Sequence, residues 1–90
     1  MNRNNLDEII EIINELDSKN EISLFLEEIF TRNELETLSK RWRIMKMLSK
    51  GITQREIATE LNVSLCKVTR GSKILKNKNT ITAKFLKEGK

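Results

Sequence analysis

The chain has no histidine, no proline and only one cysteine. Without histidine it lacks the side chain that most often serves as a general base or a metal ligand near neutral pH. A single cysteine can form neither an internal disulfide nor, with no histidine beside it, a zinc site. The sequence also contains no glycine-rich phosphate-binding loop. These absences predict a protein that is not an enzyme and that binds no metal.

Long apolar runs are also missing. No stretch of about 18 apolar residues is present that could span a membrane. The N-terminal sequence MNRNNLDE lacks the basic and apolar regions of a signal peptide. Since the lone Cys66 also fits a reducing compartment, we expect a cytoplasmic protein. A chain of 90 residues forms one small domain with a thin core, so a second copy could supply missing burial.

Charge is divided unevenly along the chain. Residues 1–36 contain 3 lysines or arginines against 10 carboxylates, a net charge of −7. Residues 37–90 contain 14 against 3, a net charge of +11. The basic half would attract a polyanion such as nucleic acid. An acidic membrane surface or an acidic protein could use the same charge, but neither would need the helix-turn-helix within it.

Residues 54–76 have the pattern of a helix-turn-helix. Thr53 and Glu56 form a capping box that predicts the start of the first helix. Asn62 suits the left-handed residue of a turn, and Ser64 can cap the second helix. Small Ala58 on the first helix would let the second helix cross closely. The spacing therefore predicts two short helices joined by a tight turn.

The second of these helices has two different faces. Val68, Gly71 and Leu75 recur at helical spacing and are expected to face inward. The outward residues are polar, basic or short: Leu65, Cys66, Lys67, Thr69, Arg70 and Lys73. Such a face suits a helix that lies in a DNA major groove. The alternative is a structural helical hairpin with a solvated basic face.

The N-terminal segment predicts two amphipathic helices. Asn5 with Glu8 offers a capped start for a helix that ends near Ser18, and a second helix covers residues 21–30. Ile12 and Leu24 lie off the main apolar stripes, so both helices have wide apolar faces. Wide faces on short helices suit a subunit interface, and a fuller core within one chain is the alternative.

A third capping box, formed by Thr31 and Glu34, predicts the longest helix, over about residues 32–50. Its apolar stripe has near-heptad spacing and consists of Leu35, Leu38, Trp42, Met45 and Leu48. Gly51 is expected to end this helix in a left-handed conformation. A last helix is expected at residues 80–88, where the apolar anchors are Ile81, Phe85 and Leu86.

The motifs QREIA, VTRGSKILK and KRWRIMKML resemble the tryptophan repressor family, over about half of the chain (residues 31–76). The resemblance implies an all-α, intertwined homodimer that binds operator DNA when its corepressor, L-tryptophan, is bound. Residues 1–90 would then form a single helical DNA-binding domain. It would comprise dimerisation helices (1–30), a central helix (31–51), the helix-turn-helix (53–76) and a C-terminal helix (80–88).

The same resemblance implies a ligand site. Arg41 and Arg70 would hold the indole between their side chains, and Arg70 with Thr31 would engage the carboxylate. Gly71 would be the small residue against the indole. A guanidinium can both pair with a carboxylate and stack on an aromatic plane. Ile74 stands where the best-known members have a serine that helps hold the amino group. For the two arginines, solvation or contact with DNA phosphate is the alternative.

Other departures from the family pattern affect both sites. Glu28 and Phe30 replace apolar residues whose backbone carbonyls hold the amino group, and Glu28 could supply a carboxylate instead. Ala58 replaces a basic DNA-contacting residue and Lys67 a neutral one, so the operator sequence need not be shared.

The residues expected at DNA are Gln54, Arg55, Ser64, Leu65, Cys66, Lys67, Thr69, Ser72, Lys73 and Lys76. Arg55 matches a guanine-contacting arginine of the family, while Lys73 and Lys76 are expected at phosphates. For Cys66 a small apolar contact is favoured over redox sensing.

These patterns together predict a homodimeric, sequence-specific repressor of tryptophan-metabolism operators, with L-tryptophan as corepressor. The first alternative is a regulator on the same scaffold with a different ligand or none. A second, from another class, is a small helical module whose basic face binds an acidic protein. Salt dependence combined with sequence preference would separate DNA reading from that module.

Overall fold

The computed structural model describes residues 3–86, and within this range it contains six α-helices and no strand. They are α1 (Arg3–Glu15), α2 (Lys19–Ile29), α3 (Arg32–Ser49), α4 (Gln54–Leu61), α5 (Leu65–Lys76) and α6 (Ile81–Leu86). The all-α class and the helix-turn-helix are thereby confirmed. The chain divides into two compact units, Met1–Leu35 and Glu36–Lys90, which we call the N-terminal and the C-terminal unit.

The two helices of the N-terminal unit begin at different residues than the sequence predicted. α1 starts at Arg3, so Asn5 lies inside the helix and the predicted cap there is wrong. The helix ends at Glu15, before the predicted end near Ser18, which instead precedes α2. The Ser18 hydroxyl accepts a hydrogen bond from the Glu21 amide at 3.1 Å, and the Glu21 carboxylate accepts one from the Asp17 amide at 3.2 Å. Ser18 is thus the cap of α2.

The apolar faces of α1 and α2 stay open within the N-terminal unit. No residue of α2 is buried, and none is buried at positions 4–15 of α1. Ile10, Leu24 and Ile29 are 54%, 51% and 50% exposed. The wide apolar faces expected from the sequence are therefore present, and none of their described residues is fully buried.

α3 begins and ends as the sequence predicts. The Thr31 hydroxyl accepts from the Glu34 amide at 3.1 Å, and the Glu34 carboxylate accepts from the Thr31 amide at 2.8 Å. This reciprocal pair is the predicted capping box. At the other end Gly51 has a φ of 88°, a conformation that glycine adopts without a Cβ clash. Both ends of the helix follow from local sequence.

The core of the C-terminal unit joins α3, α4 and α5. Ile44 and Met47 of α3 pack with Ile57 of α4 and Val68 of α5, and the last two are fully buried. Ala58 is half-buried and packs against this core.

The buried side of α3 is not the near-heptad stripe that stands out in the sequence. Two stripe members, Leu38 and Trp42, remain 45% and 43% exposed. The residues that α3 buries instead are Ile44 and Met47, because α4 and α5 pack on that side. A stripe of apolar residues in the sequence shows that a helix is amphipathic. The tertiary contacts then determine which of its apolar residues are buried within a single chain.

α6 is held by one of its three expected anchors. Leu86 is buried, whereas Ile81 and Phe85 are 74% and 72% exposed, so the expected anchoring is wrong for these two. Ile81 and Phe85 lie four residues apart and share one helical face, which no described residue covers. Thr80 caps the helix by accepting from the Ala83 amide at 3.1 Å. The predicted helical positions 87 and 88 lie outside the described residues.

Candidate nucleic-acid interface

The start of α4 is fixed by a reciprocal cap. The Thr53 hydroxyl accepts from the Glu56 amide at 3.2 Å, and the Glu56 carboxylate accepts from the Thr53 amide at 3.4 Å. This confirms the predicted capping box. It places Gln54 and Arg55 as the first two residues of α4, with Gln54 half-buried and Arg55 exposed.

The turn between α4 and α5 depends on Asn62. Its φ of 55° and ψ of 51° are left-handed, and within residues 3–86 it is the one non-glycine residue with a positive φ. The chain reverses tightly there, since the Val63 amide donates to the Ala58 carbonyl at 3.1 Å. Asparagine tolerates this conformation better than most residues, as the sequence indicated.

α5 starts at a serine cap and buries the predicted face. The Ser64 hydroxyl accepts from the Lys67 amide at 3.3 Å, so this hydroxyl, which was expected at DNA, caps the helix. Val68 and Gly71 are buried and Leu75 is half-buried. The inward face of α5 is therefore confirmed.

The outward face of α5 is basic and contains no carboxylate. Its exposed residues are Leu65, Cys66, Lys67, Arg70, Lys73 and Lys76. Thr69 and Ser72 lie at its edge and are half-buried. The structure thus places the residues predicted at DNA on α5 and at the start of α4, two adjacent elements of one helix-turn-helix.

A hydrogen bond that the sequence did not reveal joins these two elements. The Thr69 hydroxyl donates to the Gln54 side-chain carbonyl at 2.9 Å, in a partly buried position. The two residues are 15 positions apart, so no local spacing rule could have paired them. Both had been expected to contact DNA separately.

The residues assigned to a ligand by family resemblance lie mostly where α5 crosses α3. A Cβ built on Gly71 would lie 3.4 Å from both Ile44 Cγ2 and Leu48 Cδ1, so α5 approaches α3 closely at this glycine. Arg41 precedes Ile44 by one helical turn, and Arg70 directly precedes Gly71. Both arginines are exposed.

Neither of these guanidinium groups has an acidic partner within the described part of the chain. The ion pair found there joins Arg43 to Glu60 at 3.9 Å, across exposed surface. Arg41 and Arg70 are therefore available to an anionic ligand or to phosphate. Of the other two ligand candidates, Ile74 is half-buried on α5, and Thr31 caps α3 in the N-terminal unit.

An open cavity of about 500 Å³ lies next to the crossing of α3 and α5 in the C-terminal unit, with Leu48 common to both. Its lining consists of Leu48, Ser49, Leu75, Lys78, Ala83, Lys84 and Leu86. None of the residues assigned to a ligand belongs to this lining, among those that the structure describes.

Residues 3–86 contain neither a metal site nor a membrane span. No group of three or more cysteine, aspartate or glutamate side chains there could hold a metal ion. None of the helices in that range is long and apolar enough to cross a membrane.

Comparison with known proteins gives one consistent picture. The family model "Trp repressor protein" matches residues 4–90. A Trp operon repressor homolog of Xylella fastidiosa (strain M23) is 42% identical over 72 residues, which cover 79% of this chain and 78% of the relative. A homolog of the same name from Chlamydia trachomatis serovar L2 is 35% identical over 76 residues, 79% and 81% of the two chains.

The alignment to a third relative extends over nearly the whole chain. The Trp operon repressor homolog of Chlamydia caviae is 31% identical over 87 residues, 96% of this chain and 86% of the relative. No solved structure matches the chain significantly.

Proposed function

The chain belongs to the Trp repressor family, and from this membership we propose that it is a transcriptional repressor that binds operator DNA as a homodimer with L-tryptophan as corepressor. The observation that carries the proposal is the exposed face of α5, which is basic, free of carboxylates and held on a capped helix-turn-helix. A helix with that face can enter a major groove.

Base reading is assigned to Arg55 at the start of α4. Its exposed guanidinium can donate two parallel hydrogen bonds to the O6 and N7 atoms of a guanine. Lys73 and Lys76 lie in the last turns of α5, where their single charged groups suit phosphates. Base contacts set the sequence preference, and the lysines add affinity for any duplex.

The corepressor is assigned to the crossing of α3 and α5. Arg41 and Arg70 would enclose the indole, with Arg70 also pairing with the carboxylate. Family resemblance adds Gly71 as the small residue against the indole and Thr31 as a second carboxylate contact. The support is that both guanidinium groups lack an acidic partner within the described chain.

A ligand held by both helices would link tryptophan to DNA. It would fix the angle of α5 relative to α3 and so favour the spacing at which both reading helices of a dimer enter successive major grooves. Such linkage is reciprocal, so operator DNA must tighten tryptophan binding by the same factor by which tryptophan tightens DNA binding. The coupling free energy between two such sites is typically about 1–3 kcal/mol.

The test is calorimetric titration with L-tryptophan, with and without a duplex that the protein has enriched from a random library. We expect Arg41→Ala to remove most of the tryptophan effect and to leave residual non-specific DNA affinity. Arg43→Ala is the matched control, because Arg43 lies on the same helix and pairs with Glu60 instead. Arg70→Ala should damage both activities.

An operator affinity that is identical with and without millimolar L-tryptophan would overturn the corepressor assignment. The ligand-independent regulator would then replace it. A duplex preference that is absent altogether, with binding that depends on salt alone, would favour the module that binds an acidic protein.

One observation favours a changed ligand preference. Ile74 is half-buried and apolar at the position where a hydroxyl would help hold the ligand's amino group. We therefore expect indole acids without an amino group to compete well with L-tryptophan. The Ile74→Ser variant should discriminate against them more strongly than the natural protein does.

A further inference from the structure

Thr69 and Gln54 were both predicted to contact DNA, but the hydrogen bond between them indicates that the two residues have different roles. The Thr69 hydroxyl donates to Gln54 Oε1 at 2.9 Å, across the helix-turn-helix from α5 to the first residue of α4. Thr69 Oγ1 is thereby engaged within the protein. The Gln54 NH2 group donates no hydrogen bond to any other described residue, and Gln54 is only half-buried.

We infer that Thr69 is a positioning residue, whose hydroxyl holds the Gln54 carboxamide so that its NH2 group is presented to a phosphate of the bound DNA. The inference rests on the proposed function. It also restricts what Gln54 can recognise. Reading an adenine needs both ends of a carboxamide aligned with the base, and here the hydrogen bond from Thr69 already fixes the direction of the carbonyl end. A single NH2 donor matches an acceptor-only group, and phosphate oxygens are such acceptors.

Holding the carboxamide in place matters because a free glutamine loses side-chain entropy when it orders on binding. Because α5 is already packed in the free protein, its hydrogen bond orders the Gln54 side chain before DNA binds, and less side-chain entropy is then lost on binding. Thr69 is half-buried and next to the fully buried Val68, so its own position is set by the core. The pair therefore provides a preordered donor beside Arg55, the proposed base reader.

The experiment compares variants on a duplex that the natural protein enriches from a random library, with L-tryptophan present. Thr69→Val keeps the side-chain shape but removes the donor, and it should weaken binding roughly three- to tenfold. The loss should be equal for all sequences, since no base contact is involved. Thr69→Ser restores a hydroxyl and should restore most of the affinity.

The coupling between the residues is the central measurement. If Thr69 acts through Gln54, Thr69→Val should cost almost nothing in a Gln54→Ala background. If Thr69 touches DNA itself, the same substitution should cost as much in that background as in the natural protein. Full additivity would therefore overturn the inference and leave the proposed function intact.

A phosphate readout separates positioning from a purely structural role. Ethylation of individual phosphates should reveal one position at which modification weakens the natural protein but not Gln54→Ala or Thr69→Val. Variants that merely loosen the fold would keep the natural ethylation pattern, and this result would overturn the inference. Thermal unfolding of each variant shows whether the fold survives. Failure of the natural protein to enrich any sequence would overturn the proposed function and this inference together.

Discussion

The two units of the chain use similar short, capped helices but differ in what those helices cover. Ser18 caps α2 and Ser64 caps α5 with the same type of hydrogen bond, at 3.1 and 3.3 Å. Yet Ile10 and Leu24 of the N-terminal unit remain about half exposed, while Ile57 and Val68 of the C-terminal unit are fully buried. Capping and apolar content therefore do not explain the difference.

What differs is the presence of a partner within the same chain. α3 supplies Ile44 and Met47 to α4 and α5, whereas no described apolar residue of α1 or α2 is fully buried. The charge follows the same division, since residues 1–35 have 3 lysines or arginines against 9 carboxylates, a net charge of −6, and residues 36–90 have 14 against 4, a net charge of +10. One unit thus has its own core and a basic surface, and the other has an acidic surface and apolar faces suited to the proposed dimer.

The largest expected effect concerns the core of the C-terminal unit. Ile57→Ala removes a fully buried side chain and should lower the free energy of unfolding by about 2–5 kcal/mol. Leu65→Ala is the control, because Leu65 is 47% exposed on α5 and should cost less than about 1 kcal/mol. Urea unfolding measures both. If the two substitutions lowered the free energy of unfolding equally, burial within a single chain would not determine how much an apolar side chain stabilises this unit.

A second test concerns the apolar faces of the N-terminal unit. Ile29→Glu places a charge on an exposed apolar face of α2 and should weaken the proposed dimer about tenfold or more. Asn20→Glu adds the same charge on the opposite side of α2 and should have little effect. Analytical ultracentrifugation over a concentration series gives the dissociation constants. A natural protein that is a well-folded monomer at micromolar concentration would end the dimer proposal.

The charge division predicts a third difference. Arg55→Ala should cost roughly 1–3 kcal/mol and relax the preference at one base pair. Lys76→Ala should weaken binding to all sequences and reduce the salt slope by about one. Lys19→Ala, in the acidic unit, should change neither quantity. If Arg55→Ala weakens every sequence equally, Arg55 contacts a phosphate and not a base.

The smallest expected effect compares the two serine caps. Ser64→Ala should lower the free energy of unfolding by about 1 kcal/mol, because the first turn of α5 loses its side-chain acceptor. Ser18→Ala should accelerate amide hydrogen exchange in α2 and leave α4 and α5 unchanged. Faster exchange throughout the chain after Ser18→Ala would show that the two units open together.

Features that depend on neighbouring residues could be predicted from the sequence. The capping boxes at Thr31 and Thr53 and the left-handed Asn62 and Gly51 involve contacts over a few positions, and all four are confirmed. Ser18 was missed although it is equally local, because its position was taken as the end of the preceding helix.

Features that depend on tertiary contact could not be predicted in the same way. The spacing of apolar residues marked Leu38 and Trp42 on α3, but the positions of α4 and α5 determine that Ile44 and Met47 are buried instead. The Gln54–Thr69 hydrogen bond likewise exists only because α5 crosses α4. The residues of the candidate interface are proposed from motifs and family resemblance, while the contacts among them required the fold.

Cys66 gives the chain a natural spectroscopic reporter. It is the only thiol among the 90 residues, and it is exposed near the start of α5. A spin label attached there, in a homodimer, would come as a symmetric pair with one probe on each reading helix. The distance distribution between the two probes would then measure directly how far apart the helices stand, and whether L-tryptophan narrows that distribution, with no mutation needed to introduce the labels.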